Sequence, residues 1–172
     1  KKNEKCLVIG LGGIGFVTLC TLLKKNVRQI DVLEKDNIKI RKFKSYKQKT
    51  NINFIRKLKF VKKNYYDICF ETSGNINLLN QSITLINNNG KIIFATHPKF
   101  GKKLIIDPHE LIKGKKVFGS WGGGCKLDKD VKKIFRFFNE KSIFDKRLIK
   151  IISLKRLPQF FKEKIKTFRT VV

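Results

Sequence analysis

Residues 5–34 read KCLVIGLGGIGFVTLCTLLKKNVRQIDVLE, and no other stretch of the chain constrains its architecture as tightly. Residues 5–10 (KCLVIG) are a continuous apolar run ending at glycine, the pattern of a strand buried on both faces. Residues 14–23 are almost wholly apolar and end at Lys24 and Lys25, cations that suit the negative end of a helix. A helix apolar all round needs cover on both sides. One side is expected to be the sheet, and the other a domain outside this sequence. Residues 29–34 (QIDVLE) then read as a second strand. The order is strand, glycine turn, helix, strand.

The same rhythm continues outward. Residues 36–46 read as a basic helix, and residues 50–64 as a short strand or a helix, with both open. Residues 67–72 (DICFET) are a third strand, followed by a turn at Gly74-Asn75 and apolar residues at helical spacing over 76–85. The run Asn87-Asn88-Asn89-Gly90 is expected to end that helix, with a strand at 91–95 (KIIFA) and another, at the sheet edge, at 115–119 (KKVFG). A helix with an acidic start is expected over 128–141, then strand 147–153, helix 157–166 and strand 168–172. Alternating strands and helices argue for α/β: a Rossmann-type, doubly wound parallel sheet with right-handed crossovers. The division expected is a nucleotide-binding domain over residues 1–145 and a strand-helix-strand tail over 146–172.

Gly10-Leu11-Gly12-Gly13-Ile14-Gly15 matches GxGxxG, and Glu34 closes the next strand 19 residues after Gly15. Each position has a physical task. Gly10 permits the tight exit from the strand. Gly12 lets a pyrophosphate approach the backbone, and Gly15 lets the helix pack close to the sheet. Bare N–H groups at the positive helix end hold phosphates. A carboxylate at Glu34 accepts hydrogen bonds from both hydroxyls of an adenosine ribose and repels a 2′-phosphate. The reading is therefore a dinucleotide site that favours NAD over NADP.

Composition sets the competing readings. Forty Lys and Arg stand against 13 Asp and Glu, a net charge of +27. That balance suits a polyanion partner. However, 33 of the cations are Lys and only 7 are Arg, they are spread along the whole chain, and Asn, Ile and Phe are abundant beside a single Ala. Codon bias in an A/T-rich genome gives that pattern, and base contacts tend to use Arg. Nucleic-acid binding is the lesser expectation. Cys6, Cys20, Cys69 and Cys125 form no CxxC pair and read as free thiols of a reducing cytoplasm. The apolar run 7–23 is too short and glycine-rich for a membrane span. The chain has no Met, and the reading is a piece of a longer protein.

Six spaced segments, CLVIGLGGIG, VLEKD, DICFETSGN, NNNGKIIFATHP, KGKKVFGSWGGG and FRTVV, occur in an order that resembles the medium-chain dehydrogenases, the zinc-type alcohol and polyol dehydrogenase family, in their C-terminal nucleotide-binding half. The resemblance is weakest over 46–64. It implies that Gly10, Gly12, Gly13 and Ile14 contact the pyrophosphate, with Lys39 beside Glu34 at the ribose. Thr72 and Ser73 would line the crevice. Thr96 and His97 would lie near the nicotinamide, and Arg169 would point at the pyrophosphate. The family usually has glycine at the position of Thr96, so a side chain there would crowd the nicotinamide. A lone His before Pro98 reads first as a solvated loop residue, and His109 reads the same way.

The resemblance also implies that catalytic groups, and zinc if retained, sit in an all-β domain that this sequence lacks and to which the tail would return. The complete enzyme would move a hydride between an alcohol or polyol and the cofactor, and this part alone would be inactive. The strand 115–119 would pair with its copy in a homodimer. The alternative is a non-catalytic dinucleotide-binding remnant.

Overall fold

The computed structural model describes residues 3–46, 52–139, 149–162 and 169–171. The apolar run at the start is β1 (Lys5–Ile9), and Cys6 to Ile9 are all fully buried. Its side chains alternate between two cores, as the period of two in a strand requires. Cys6 and Val8 face Phe16, Leu19 and Cys20 of α1 (Gly13–Lys24) and Phe43 of α2 (Asn37–Tyr46). Leu7 and Ile9 face Leu79 of α3 (Ile76–Ser82), together with Ile83 and Leu85. Each fully buried Leu or Ile stabilises the sheet by roughly 1.5–3 kcal/mol.

The remaining strands are β2 (Gln29–Leu33), β3 (Ile52–Ile55), β4 (Tyr66–Glu71), β5 (Ile86–Phe94) and β6 (Lys116–Gly119). All pair in parallel, in the order β3-β2-β1-β4-β5-β6. This is the doubly wound sheet expected from the alternation of elements. The stretch left open at 50–64 supplies β3 and a 3-10 turn at Leu58–Phe60.

Three local expectations change. The third helix ends at Ser82, not at the asparagine run. The Ser82 hydroxyl donates to the Leu79 carbonyl and the Thr84 hydroxyl to the Gln81 carbonyl, local bonds that compete with continuing the helix. Residues 87–90 instead bulge out of β5, where the register slips between Tyr66–Ile86 and Ile68–Lys91. Asn89 takes a positive φ of 63°, and the Asn87 side-chain amide donates to Asp67 at 2.6 Å. Second, α1 finds cover within this chain. Phe138 of α5 (Leu127–Asn139) packs on the same core, and the Lys24 ammonium sits 3.8 Å from the Phe137 ring centroid. Third, the edge strand begins at Lys116. Lys115, just before it, is a buried anchor: its ammonium donates to Asn64 Oδ1 and the Ile83 carbonyl at 2.9 Å each and pairs with Glu110.

The tail forms a small parallel sheet of its own, β7 (Ile149–Ile151) with β8 (Arg169–Val171), and α6 (Leu157–Lys162) lies between them in sequence. No described helix is long and apolar enough to cross a membrane.

Candidate functional site

Chain crossovers leave β1 toward β2 on one side, while β4 lies on the other. A crevice opens beyond the carboxyl ends of strands at such a reversal, which is where ligands bind in open α/β sheets. Here it is a cleft of about 420 Å³ lined by Gly10, Gly12, Glu34, Lys39, Arg56, Thr72 and Ser73, among others.

The glycines divide by what the protein itself demands. Gly10 has φ 90°, and a Cβ there would press on Ser73 at 3.1 Å. A Cβ on Gly15 would run into the Gly10 carbonyl and come within 2.6 Å of the Thr72 hydroxyl. That hydroxyl is turned inward, 2.8 Å from the Ile9 carbonyl and 2.9 Å from the Gly10 carbonyl. Thr72 therefore supports the turn and does not present its hydroxyl to the cleft. Gly12 is different. Its φ is −85° and nothing lies within 4 Å of a Cβ built on it. The fold does not need glycine at this position, and the bare surface faces the cleft.

Gly12 is the N-cap of α1, with no side-chain cap and no acidic residue in the first turn. The opening amides, from Gly13 and Ile14, carry the positive end of a 12-residue helix. Ile14 is 45% exposed at this end.

Glu34, one residue past β2, is buried and lines the same cleft. Its Oε2 accepts the Leu11 amide at 2.6 Å and its Oε1 the Asp36 amide at 2.9 Å. The carboxylate thus fastens the glycine turn to β2 while each oxygen retains acceptor capacity. Lys39, half-buried on α2, and exposed Arg56 complete the wall. Arg56 is absent from the sequence reading because its stretch has no clear period and one cation in a chain of 40 carries no signal.

Glu71 is the second residue that the sequence reading passed over. It ends β4 fully buried, and its Oε1 accepts the Ser73 amide at 2.8 Å and the Ser73 hydroxyl. The Thr96 hydroxyl donates to Oε2 at 3.4 Å. The available signal was its position: like Glu34, it is an acid at the end of an apolar strand. Thr96 and the His97 carbonyl border Gly74, at 3.8 and 3.3 Å from where its Cβ would be. The His97 ring is exposed and meets Trp121 edge-on, with centroids 5.0 Å apart. Arg169 stands on β8 opposite Ile149, and its side chain lies outside the described residues.

Cys6, Cys20 and Cys69 are buried free thiols and Cys125 is a half-buried one. Burial pushes the Cys6 thiol up to about 12, and burial with the nearby Glu71 raises Cys69 as well. Neither forms a thiolate near neutral pH. Among the described residues no three His, Cys, Asp or Glu side chains gather as a metal site.

Strand order, switch-point crevice and glycine turn define a nucleotide-binding α/β fold of the Rossmann type. Among solved structures it is the fold of one part of the zinc-type alcohol dehydrogenase-like chains. A putative zinc-binding dehydrogenase from Sinorhizobium meliloti 1021, bound to NADP, matches 99% of this chain over 52% of its own, with TM-score 0.82 and 16% identity. Acetophenone reductase from Geotrichum candidum NBRC 4597, in complex with NAD, matches 97% of this chain over 48% of its own, with TM-score 0.73 and 18% identity. The 2R,3R-butanediol dehydrogenase from Bacillus subtilis matches 93% over 46%, with TM-score 0.71 and 20% identity. This chain spans about half the length of the structures it matches. No family profile and no curated protein matches the sequence.

Proposed function

We propose that this chain binds a nicotinamide dinucleotide, with NAD preferred over NADP, as the nucleotide-binding part of an alcohol or polyol dehydrogenase-like oxidoreductase. The observation that carries the reading is the buried Glu34 carboxylate, fastened to the Leu11 amide at 2.6 Å and lining the cleft that Gly12 leaves bare. The residues fit the cofactor. The uncapped amides of Gly13 and Ile14 would take the diphosphate, with Gly10 and Gly12 allowing its approach. Glu34 and Lys39 would hold the adenosine ribose. Ser73, Thr96 and His97 would border the nicotinamide end, and Arg169 would come from the tail toward the diphosphate. When bound, the nicotinamide supplies hydride acceptance and donation. The groups that bind the alcohol and move its proton, with any zinc, belong to a further all-β domain to which residues 146–172 return.

Two further parts of the reading concern the whole protein. The open edge of β6, with Phe118 49% exposed, pairs with a second copy in a homodimer. Buried free thiols suit the reducing cytoplasm.

Calorimetric titration with NAD and NADP tests the cofactor assignment. The unmodified chain should prefer NAD. Glu34→Ala should weaken NAD by about 10- to 100-fold, the range for a lost hydrogen bond to a charged group, and narrow the preference. Equal affinity for both cofactors in the unmodified chain removes the role given to Glu34.

A further inference from the structure

Glu71 is fully buried at the far end of the crevice, and no cation among the described residues pairs with it. A carboxylate taken out of water without a counter-ion is costly unless it is well supplied with donors. Its donors are all crevice residues: the Ser73 amide at 2.8 Å, the Ser73 hydroxyl, and the Thr96 hydroxyl at 3.4 Å.

We propose that Glu71 is a positioning residue that makes this end of the crevice an acceptor-only socket, selective for a primary carboxamide and against the corresponding carboxylate. The proposal rests on the dinucleotide reading and gives it a mechanism of head-group selection.

A hydroxyl carries one proton. Ser73 and Thr96 both give theirs to Glu71, so each offers only lone pairs outward. The Ser73 oxygen already accepts the Asn75 amide at 3.1 Å. The Thr96 oxygen keeps its remaining lone pairs, and the structure gives it a second acceptor close by. Thr96 Oγ1 and the His97 carbonyl oxygen both border the bare Cα of Gly74, which holds φ 70°. Two acceptors side by side match the two donors of an amide NH₂. A carboxylate at the same place has no donor to offer, and it faces the lone pairs and the Glu71 charge beneath them. Thr96, which by the family resemblance would crowd the nicotinamide, becomes the group that recognises it.

The chain's only tryptophan provides an independent signal. Trp121 is 82% exposed and its ring meets His97, the residue after Thr96. A ring bound at this socket quenches it, and a ligand that stops at the diphosphate does not.

The test uses three probes on the full chain: NAD, nicotinic acid adenine dinucleotide and ADP-ribose. Affinity is read by calorimetry and Trp121 emission is recorded in parallel. NAD should bind about tenfold or more tightly than its nicotinic acid analogue, the scale of one hydrogen bond to a charged or fixed group. Glu71→Gln, which frees one hydroxyl to reorient, should reduce that ratio below about threefold and leave ADP-ribose affinity unchanged. Thr96→Val keeps Glu71 in place and guards against a folding defect in the first variant. It should lower NAD affinity about fivefold and weaken the Trp121 quench, with ADP-ribose again unchanged. Equal affinity for the two dinucleotides in the unmodified chain overturns the proposal, as does a uniform loss for all three probes in both variants. Failure of ADP-ribose itself to bind removes the underlying dinucleotide reading and the proposal with it.

Discussion

Gly12 and Gly15 stand three residues apart in one motif, yet the structure asks different things of them. A methyl group on Gly15 meets backbone of the preceding strand end, which cannot yield without moving the helix. A methyl group on Gly12 meets nothing of the protein within 4 Å. Gly15→Ala should therefore cost about 1–3 kcal/mol of stability, read by urea unfolding. Gly12→Ala should stay within about 0.5 kcal/mol of the parent but lose about tenfold in NAD affinity. Equal stability losses in the two variants would contradict this division. The motif was legible from spacing alone, and so was Glu34, because a strand-ending acid after GxGxxG has few other uses. Thr72 was legible only as a position: the sequence placed it at the crevice, but its hydroxyl turns to the carbonyls of Ile9 and Gly10. Glu71 was hidden inside an apolar run, where a single acid breaks no period. Its partners Ser73 and Thr96 are separated from it by 2 and 25 residues, and only strand pairing of β4 with β5 brings all three together.

At the scale of elements, local signals located strands better than helix ends. Buried parallel strands announce themselves as unbroken apolar runs, so β1, β2 and β4 were legible close to their boundaries. The end of α3 was not, because an Asn-Asn-Asn-Gly run serves equally as a helix stop or as a bulge. The difference lay in Asp67, which holds the Asn87 side chain from a neighbouring strand. Cover for α1 was sought outside the chain because nothing in the sequence shows that Phe138, more than 110 residues away, returns to it. The link between α4 (Pro108–Ile112) and β6 makes a separate prediction. Hydrogen bonds from Lys113, then Lys115, hold the Glu110 carboxyl at about 2, below its ordinary 4.5. A depressed carboxyl stabilises the fold above its unfolded value, and the contribution fades as pH falls through the folded one. Here that window runs from about 4.5 down to about 2. Glu110→Gln should thus unfold at lower urea than the parent at pH 7, with the gap closing toward pH 2.5. A gap of constant size would show that the ion pair is not its source.

For the whole molecule the governing quantities are its charge and its open sheet edge. With +27 net charges, self-repulsion and nonspecific attraction to polyanions are both strong at low salt, and both are screened over about 10 Å at 0.1 M. Ligand measurements therefore belong at moderate salt, where a site built of amides and one carboxylate keeps its affinity while diffuse polyanion binding falls steeply. The edge of β6, flanked by exposed Leu111 and Ile112 on α4, predicts a dimer. Light scattering after size exclusion should give twice the chain mass at tens of micromolar, and a monomer there would defeat the pairing. Chain alternation made the doubly wound sheet legible, since parallel strands with right-handed crossovers leave few other arrangements. The separate pairing of β7 with β8 was not readable beyond its elements, because strands of three residues carry too little pattern to name a partner.

The central claim is that a dinucleotide's diphosphate rests on the uncapped amides at the start of α1. Amide chemical shifts recorded during an NAD titration at 0.3 M salt address it directly. The largest changes should fall on Gly12, Gly13 and Ile14 and saturate together with those of Leu11. Changes scattered over lysine-rich surfaces, shrinking as salt rises and leaving the glycine turn unmoved, would contradict it.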